Sequence, residues 1–457
     1  MSNLTSLDHI ALNFGKLIIN LTSWLKFSQG TNLPGKLSLK ISPHLFKNLA
    51  NDQRIIAVSG TNGKSTTSGL IYNCLQANNL NVVHNRQGAN LITGLTTTLI
   101  RASSYNGKLN CDYLLLEIDE ATLPNVSNLS DIKYLVVTNL FRDQLDRFGE
   151  LDTTKKLIEK AIINSRITLI LNADDPNVSQ LKDLNNPKIY FGLDSDNIKS
   201  TSSTNTACEL AYCNLCQGEI SYHSKFYNQL GNWYCSKCDN KRPKPNVLIS
   251  QLSQVSDKTS VTVKINDANE YNFTYNLPGL FNAYNIASAL ALSLGLNLNI
   301  KDCLSGISKY KSIFGRSETI KLGDQNIVIQ LIKNPAGASL ALASIDPDEV
   351  LIIAINDNLA DGKDISWLWD AQFELLAGHK QKIIVSGIRL YDMAVRLKYT
   401  NISTSAIICE PDLTSAVKLG LKLANAKTSL RILPTYTCLL ELQNIFKKLG
   451  YTMSGLN

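Results

Sequence analysis

The sequence predicts an α/β protein built on a phosphate-loop-type, doubly wound parallel sheet, with an inserted cysteine ribbon and a further α/β domain toward the C-terminus. Three observations carry this reading. Short apolar runs alternate with helical stretches along most of the chain. A glycine-rich turn ending in Lys-Ser joins the first such run to a helix. Four of the ten cysteines form two C-x2-C pairs inside a polar stretch. At 457 residues, the chain has room for several domains of roughly 150 residues each. With 44% apolar and 18% charged residues, a large core is expected and global disorder is excluded. No apolar run reaches the ~18 to 20 residues that span a bilayer, and the N-terminus lacks a cleavable signal pattern. These features, with cysteines clustered locally rather than spread as a disulfide framework, predict a cytoplasmic protein. A net charge of +7 fits an anionic ligand or surface but is too thin to argue for nucleic acid.

The elements follow in order. Residues 1–45 show helical spacing at Leu7, Ile10, Ala11, Phe14 and Leu17, read as an N-terminal helical extension that Leu33-Pro34-Gly35 interrupts. A middle domain is expected over 46–305. Its strands are Arg54 to Val58, Tyr113 to Leu116, Tyr134 to Val137 and Thr168 to Leu171, with a helix from Thr66 to about Ala77. Residues 205–245 interrupt it as an insertion, after which α/β text is expected to resume near 246. A C-terminal α/β domain over 306–457 has expected strands at Val350 to Ile355, Lys382 to Val385 and Ala406 to Ile408.

Gly60-Thr61-Asn62-Gly63-Lys64-Ser65-Thr66 lies between strand and helix, where a nucleotide phosphate sits. Glycines let backbone N–H groups turn toward the anion, and the helix N-terminus adds its positive end. Lys64 is expected at the β/γ-phosphates and the Ser65 hydroxyl on Mg2+. The general Walker pattern needs a glycine where Val58 stands, so the mechanics hold without the full motif. Cys213 and Cys216, then Cys235 and Cys238, supply four thiolates at the spacing of a tetrahedral Zn2+ site. Cys208 is a spare. Trp233, Tyr234 and Tyr227 are expected to cover a ribbon too small for its own core.

Further motifs extend the phosphate loop. They include His84-Asn85, Glu117-Ile118-Asp119-Glu120, Thr138-Asn139-Leu140-Phe141-Arg142-Asp143-Gln144 and Leu171-Asn172-Ala173-Asp174-Asp175-Pro176. Phe281-Asn282-Ala283-Tyr284-Asn285, Lys333-Asn334-Pro335-Ala336-Gly337 and Asp361-Gly362-Lys363-Asp364 through Trp367 follow. With them the chain resembles the Mur ligase family over nearly its whole length. The cysteine cluster and the last motif resemble the branch that forms the ATP-binding subunit of lipid II isoglutaminyl synthases. The resemblance implies a Mur ligase-like multidomain fold, with ATP and Mg2+ as cofactors. By position it implies Glu117 as a Mg2+ ligand beside Ser65, Asn282 and Asn285 at the nucleotide base, Arg316 reaching the nucleotide from the C-terminal domain, and Lys333 facing the same cleft. It implies amidation of the D-glutamate α-carboxylate of lipid II through an acyl phosphate, at the inner face of the membrane. Two departures stand out. Gln144 replaces a histidine that serves a second metal ion in many members, and glutamine is a poorer ligand. Arg86-Gln87 puts positive charge in a loop where a neutral or acidic pair is expected.

Ammonia for such a reaction comes from glutamine. This chain has no Gly-x-Cys-x-Gly nucleophile elbow and no glutaminase pattern among its histidines. A separate glutaminase subunit resembling GatD is therefore expected. The resemblance gives Asp364 the role of completing that partner's Cys-His pair; its plainer reading is a loop carboxylate capping a helix start before Ser366-Trp367. Two other readings compete: a stand-alone Mur-type amino-acid ligase, and a zinc-ribbon nucleic-acid-binding ATPase. Lys237, Lys241, Arg242 and Lys244 near the cysteines are read as a solvated face, with no nucleic acid partner.

Overall fold

The computed structural model describes residues 4–24, 32–85, 89–142, 151–163, 165–194, 197–198, 212–255, 258–277, 279–311, 315–322, 325–424 and 428–450, leaving out the side chains at 23–24, 182–183, 255 and 316–319. Gln144, Cys208, Arg86 and Gln87 lie outside the described residues, as does the Arg316 side chain.

The larger of the two main sheets is built from β1 (Ile55–Ser59), β2 (Val82–His84), β3 (Tyr113–Glu117), β4 (Ile132–Val137), β5 (Thr168–Asn172) and β6 (Lys188–Leu193). The cysteine-bearing insertion follows as a separate hairpin, β7 (Ile220–Tyr227) and β8 (Leu230–Cys235). Next come β9 (Val247–Val255), β10 (Lys258–Ile265) and β11 (Asn269–Tyr275), which return to the large sheet. Its strand order is β11-β10-β9-β6-β5-β4-β1-β3-β2. The strands expected from apolar runs are present, and β1 is buried along its whole length, as a parallel strand covered on both faces requires. Alternate residues feed opposite cores: Ile56 and Val58 face the helices Lys64–Ala77, Leu280–Gly295 and Ile300–Ser308, whereas Ile55 and Ala57 face the N-terminal helices.

Two expectations need correction. The sheet is mixed, because β9, β10 and β11 are antiparallel to one another. Asn266 and Asp267 both take left-handed backbone and reverse the chain between β10 and β11. The segment after 246 is thus an antiparallel extension, not resumed strand-helix alternation. Leu33-Pro34-Gly35 also starts a helix, Leu33–Ile41, instead of breaking one. Pro34 falls in the first turn, where a missing N–H costs no hydrogen bond. Gly35 approaches the helix Ile92–Ala102 so closely that a Cβ would meet Thr93 O at 1.9 Å.

The second sheet comprises β12 (Arg316–Leu322), β13 (Gln325–Gln330), β14 (Val350–Ala354), β15 (Ile383–Ser386), β16 (Ile407–Cys409) and β17 (Leu430–Pro434). Its order is β12-β13-β17-β14-β15-β16, parallel except for the β12–β13 hairpin. Asn62 and Asn334 join the two sheets, Asn334 Nδ2 donating to Asn62 Oδ1 at 3.0 Å.

Candidate functional site

The site forms at the carboxyl end of β1, where neighbouring parallel strands lead their connections apart. Gly60 and Gly63 hold φ of 119° and 83°. A Cβ on Gly60 would strike Thr138 Oγ1, and one on Gly63 would strike Asn285 Oδ1 at 2.3 Å, so both positions require glycine. The residues after β4 clamp the loop. Thr61 N donates to Asn139 O and Asn62 N to Asn139 Oδ1, both at 2.9 Å. Thr138 Oγ1 donates to Asn62 O at 2.8 Å. Thr61 and Phe141 exchange two further bonds.

Lys64 and Ser65 begin the following helix and are both buried. Lys64 Nζ donates to Gly60 O at 2.5 Å and to Glu120 Oε1 at 3.1 Å. The sequence reading did not assign Glu120 a role. Burial raises its carboxyl above the usual range, while Lys64 and, from the other sheet's side, Lys333 pull it back. Glu117 closes β3 opposite Val58, with its N–H donating to Asn85 Oδ1 at 2.8 Å and Asn85 Nδ2 donating back to Glu117 O. Glu117 thus lies buried at the carboxyl end of β3, in the same motif as Glu120. Asn282 and Asn285 lie in the first turns of the Leu280–Gly295 helix. Asn285 Nδ2 donates to Asn282 Oδ1, and Asn285 Oδ1 accepts from Thr67 at the phosphate-loop helix.

Beside these groups lies a cleft between the two sheets. Asn62, Gly63, Thr66, Asn139 and Asn285 line one side, and Gly315, Gln330, Leu331, Gly337 and Leu340 the other. Asn334, beside Lys333, caps the helix Pro335–Ala343 by accepting from Gly337 N at 2.8 Å. Tyr227 and Phe281 complete the wall.

Tyr227 was expected to shield the cysteine ribbon. It belongs instead to the main core and lines the cleft, because the β7–β8 hairpin points its tip inward. There Gln229 Nε2 donates to Leu140 O at 2.7 Å. Trp233 Nε1 donates to Ala173 O, and Arg242 pairs with buried Asp174 at 2.6 Å. Tyr284, on the helix of Asn282 and Asn285, donates to that same Asp174 at 2.7 Å. At the hairpin's outer end the sulfur atoms of Cys213, Cys216, Cys235 and Cys238 lie within 4.8 Å of one another. Burial opposes charge on Cys213, yet Asn240 Nδ2 and backbone N–H groups hold its thiol down at about 6. Four converging sulfurs with this support fit a soft tetrahedral cation.

Asp364 stands apart from the cleft's lining, on the loop between β14 and the short helix Trp367–Asp370. Asp361 pins this loop by accepting from Thr437 N at 2.7 Å, and Gly362 turns it with φ of 90°. Asp364 Oδ1 accepts from Ser366 N at 2.8 Å, a turn contact just before the helix Trp367–Asp370, whose start carries no side-chain cap, so the expected helix cap is not formed. Its Oδ2 has no hydrogen-bond partner among the described residues.

The Mur ligase middle domain family matches residues 58–293, and the MurT ligase C-terminal family matches 331–439. Among solved structures, the chain resembles a pseudomurein peptide ligase type C from Methanothermus fervidus (TM-score 0.68, 20% identity, 93% of this chain and 85% of that one). It also resembles MurF ligase from Thermotoga maritima in complex with ADP (TM-score 0.63, 13% identity, 90% and 84%). At these identities the likeness concerns the fold. Fold and phosphate loop together define the class, a Mur-type ligase. Over 416 residues the chain is 36% identical to the lipid II isoglutaminyl synthase (glutamine-hydrolyzing) subunit MurT of Staphylococcus aureus, covering 90% of this chain and 91% of that protein. The subunit MurT of Streptococcus pneumoniae is 34% identical over 426 residues, covering 92% and 93%. The chain therefore belongs to the MurT family.

Proposed function

We propose that this chain is the synthetase subunit of a glutamine-dependent amidotransferase that converts the D-glutamate α-carboxylate of lipid II to the amide. The observation that supports the reading is the glycine loop, whose Lys64 pairs with buried Glu120 and whose Asn62 meets Asn334 of the other sheet. ATP binds there, with Gly60 through Thr66 around its phosphates, Asn282 and Asn285 toward its base, and Arg316 reaching in from the second sheet. A carboxylate oxygen attacks the γ-phosphorus and ADP leaves. Ammonia then attacks the acyl carbon, phosphate departs, and the nitrogen gives up a proton to yield the amide. Lys64 moves from Glu120 to the phosphates, and closure of the two sheets aligns donor and acceptor. Ser65 and Glu117 would hold Mg2+, which supplies charge neutralisation when bound. Cys213, Cys216, Cys235 and Cys238 would hold a structural Zn2+.

The functional division follows the sequence reading. Residues 46–305, with their ribbon at 205–245, carry the ATP site behind the helices of 1–45, and 306–457 meets a glutaminase of the GatD type. Leu359, Trp369, Ile388 and Tyr391, each more than half exposed near the Asp364 loop, supply apolar surface for such a partner. No helix among the described residues is long and apolar enough to cross a membrane; the enzyme works in the cytoplasm on a substrate held at the inner membrane face. The test is reconstitution with the glutaminase. Lys64→Ala and Glu117→Ala should each abolish glutamine-dependent amidation of lipid II while the complex still assembles. Undiminished turnover by either variant contradicts the assignment.

A further inference from the structure

The helix Ser6–Trp24 has two apolar faces, and among the described residues one is packed and the other is exposed. Ala11 and Leu12 enter the core. Asp8 on that side is buried, accepting from Thr5, Ser42 and Asn48. Gly15 lies where a Cβ would meet Ser38 Oγ and the Ile100 side chain. These contacts fix the helix rigidly to the body. The opposite face carries Leu7, Ile10, Phe14, Leu17 and Leu21, spaced three and four apart, so they form one stripe along the helix. Each is between 40% and 58% exposed. Large apolar side chains scattered singly on a surface need no explanation, whereas a continuous stripe does.

Charge decides what covers it. The first 111 residues hold ten lysines and arginines against two carboxylates, Asp8 and Asp52. The whole chain holds 45 against 38, so the positive excess resides in this part of the molecule. Lys36 and Lys40 are exposed on the helix Leu33–Ile41 and Arg101 on Ile92–Ala102, two of the helices that pack against Ser6–Trp24. Lys16, on the helix itself, donates to Ile100 O and sits 5.3 Å from the ring centre of exposed Tyr105. An apolar stripe in a part of the chain with this positive excess matches an anionic bilayer surface, where the stripe enters the acyl boundary and exposed cations meet phosphates. A second copy of the chain would set these cations against their own kind, and the helix lacks the flanking opposite charges that pair two such helices.

We propose that the stripe of Ser6–Trp24 seats this protein on the anionic face of a lipid bilayer, holding the cleft near a lipid-linked substrate. The proposal rests on the reading that the substrate is lipid-linked. The test is flotation of the full chain with vesicles of phosphatidylglycerol and phosphatidylcholine, beside vesicles of phosphatidylcholine alone, without nucleotide or substrate. The wild type should float with the anionic vesicles only, and less so as salt rises. The double variant Ile10→Glu, Leu17→Glu should bind about tenfold more weakly or worse. Lys36→Glu, Lys40→Glu, which leaves the stripe untouched, should weaken binding and flatten its salt dependence. Wild type that stays unbound, or variants that float like it, overturn the proposal. Loss of self-association or of glutaminase binding in the stripe variant, with lipid binding unchanged, assigns the stripe to a protein instead. Because the vesicles hold no substrate, failure here leaves the amidation reading standing, and failed amidation with intact flotation sinks that reading alone.

Discussion

Lys64 is the residue on which the phosphate site turns, and its partner Glu120 sets how readily it is released. A buried carboxylate 3.1 Å from Nζ competes with incoming phosphate for the same cation and repels it. Glu120→Gln keeps the shape and removes both effects. Nucleotide titrations without Mg2+ should show about tenfold tighter binding for Glu120→Gln and weaker binding for Lys64→Ala. Weaker binding in both would make Glu120 a supporting group for the nucleotide instead of a competitor. Asp175 offers a second check on buried charge. Burial pushes its carboxyl up to about 7, against hydrogen bonds from Leu140 N and Asn177 N. The folded chain keeps this proton where the unfolded chain, titrating near ~4, has lost it. Stability should therefore fall as pH rises from about 4 to about 7 and level off above. Denaturation midpoints should show that decline in the wild type and a shallower one in Asp175→Asn; equal slopes would contradict it. Lys64, Ser65 and Glu117 were legible because a motif and a strand end mark them. Glu120 was not, since nothing in the sequence says that the chain after β3 turns back over the loop.

The cysteine hairpin shows how an insertion becomes part of a site. Its sulfur atoms sit at the outer end, while Tyr227 and Gln229 at the tip touch the cleft and the loop that clamps Thr61. Two effects should separate. Cys235→Ser should lower zinc content and weaken nucleotide binding together, because metal sets the hairpin. Tyr227→Ala should weaken nucleotide binding with zinc content unchanged. Metal analysis and nucleotide titration on the same preparations check both; a zinc-free wild type, or a zinc-depleted protein that binds nucleotide normally, refutes the linkage. The C-x2-C spacing announced the end where the four sulfurs converge. It could not announce the tip, since Tyr227 has no local signal distinguishing a ribbon cover from a cleft wall. The antiparallel β9–β11 extension was hidden for a related reason. Apolar and polar residues alternate there as they do in many strands, and only pairing partners reveal direction.

Across the whole molecule, residues of two separate sheets meet at the phosphate loop. Apolar runs and turn residues made both sheets readable, but the contact between Asn62 and Asn334, 272 residues apart, depends on tertiary packing alone. Asp364 likewise sits far from the phosphate loop in sequence, on a loop of the C-terminal sheet after β14. That separation makes the most direct test a comparison of nitrogen donors. A cysteine–histidine pair needs a carboxylate to orient and stabilise its imidazole, and Asp364→Asn keeps the Ser366 contact while removing the charge. Amidation of lipid II by the reconstituted complex should be measured with glutamine and, separately, with a high concentration of ammonium. The expected result is loss of glutamine-driven amidation by orders of magnitude in Asp364→Asn, with ammonium-driven amidation close to wild type. Normal glutamine use, or equal loss with both donors, would contradict the division of labour between the cleft and the Asp364 loop.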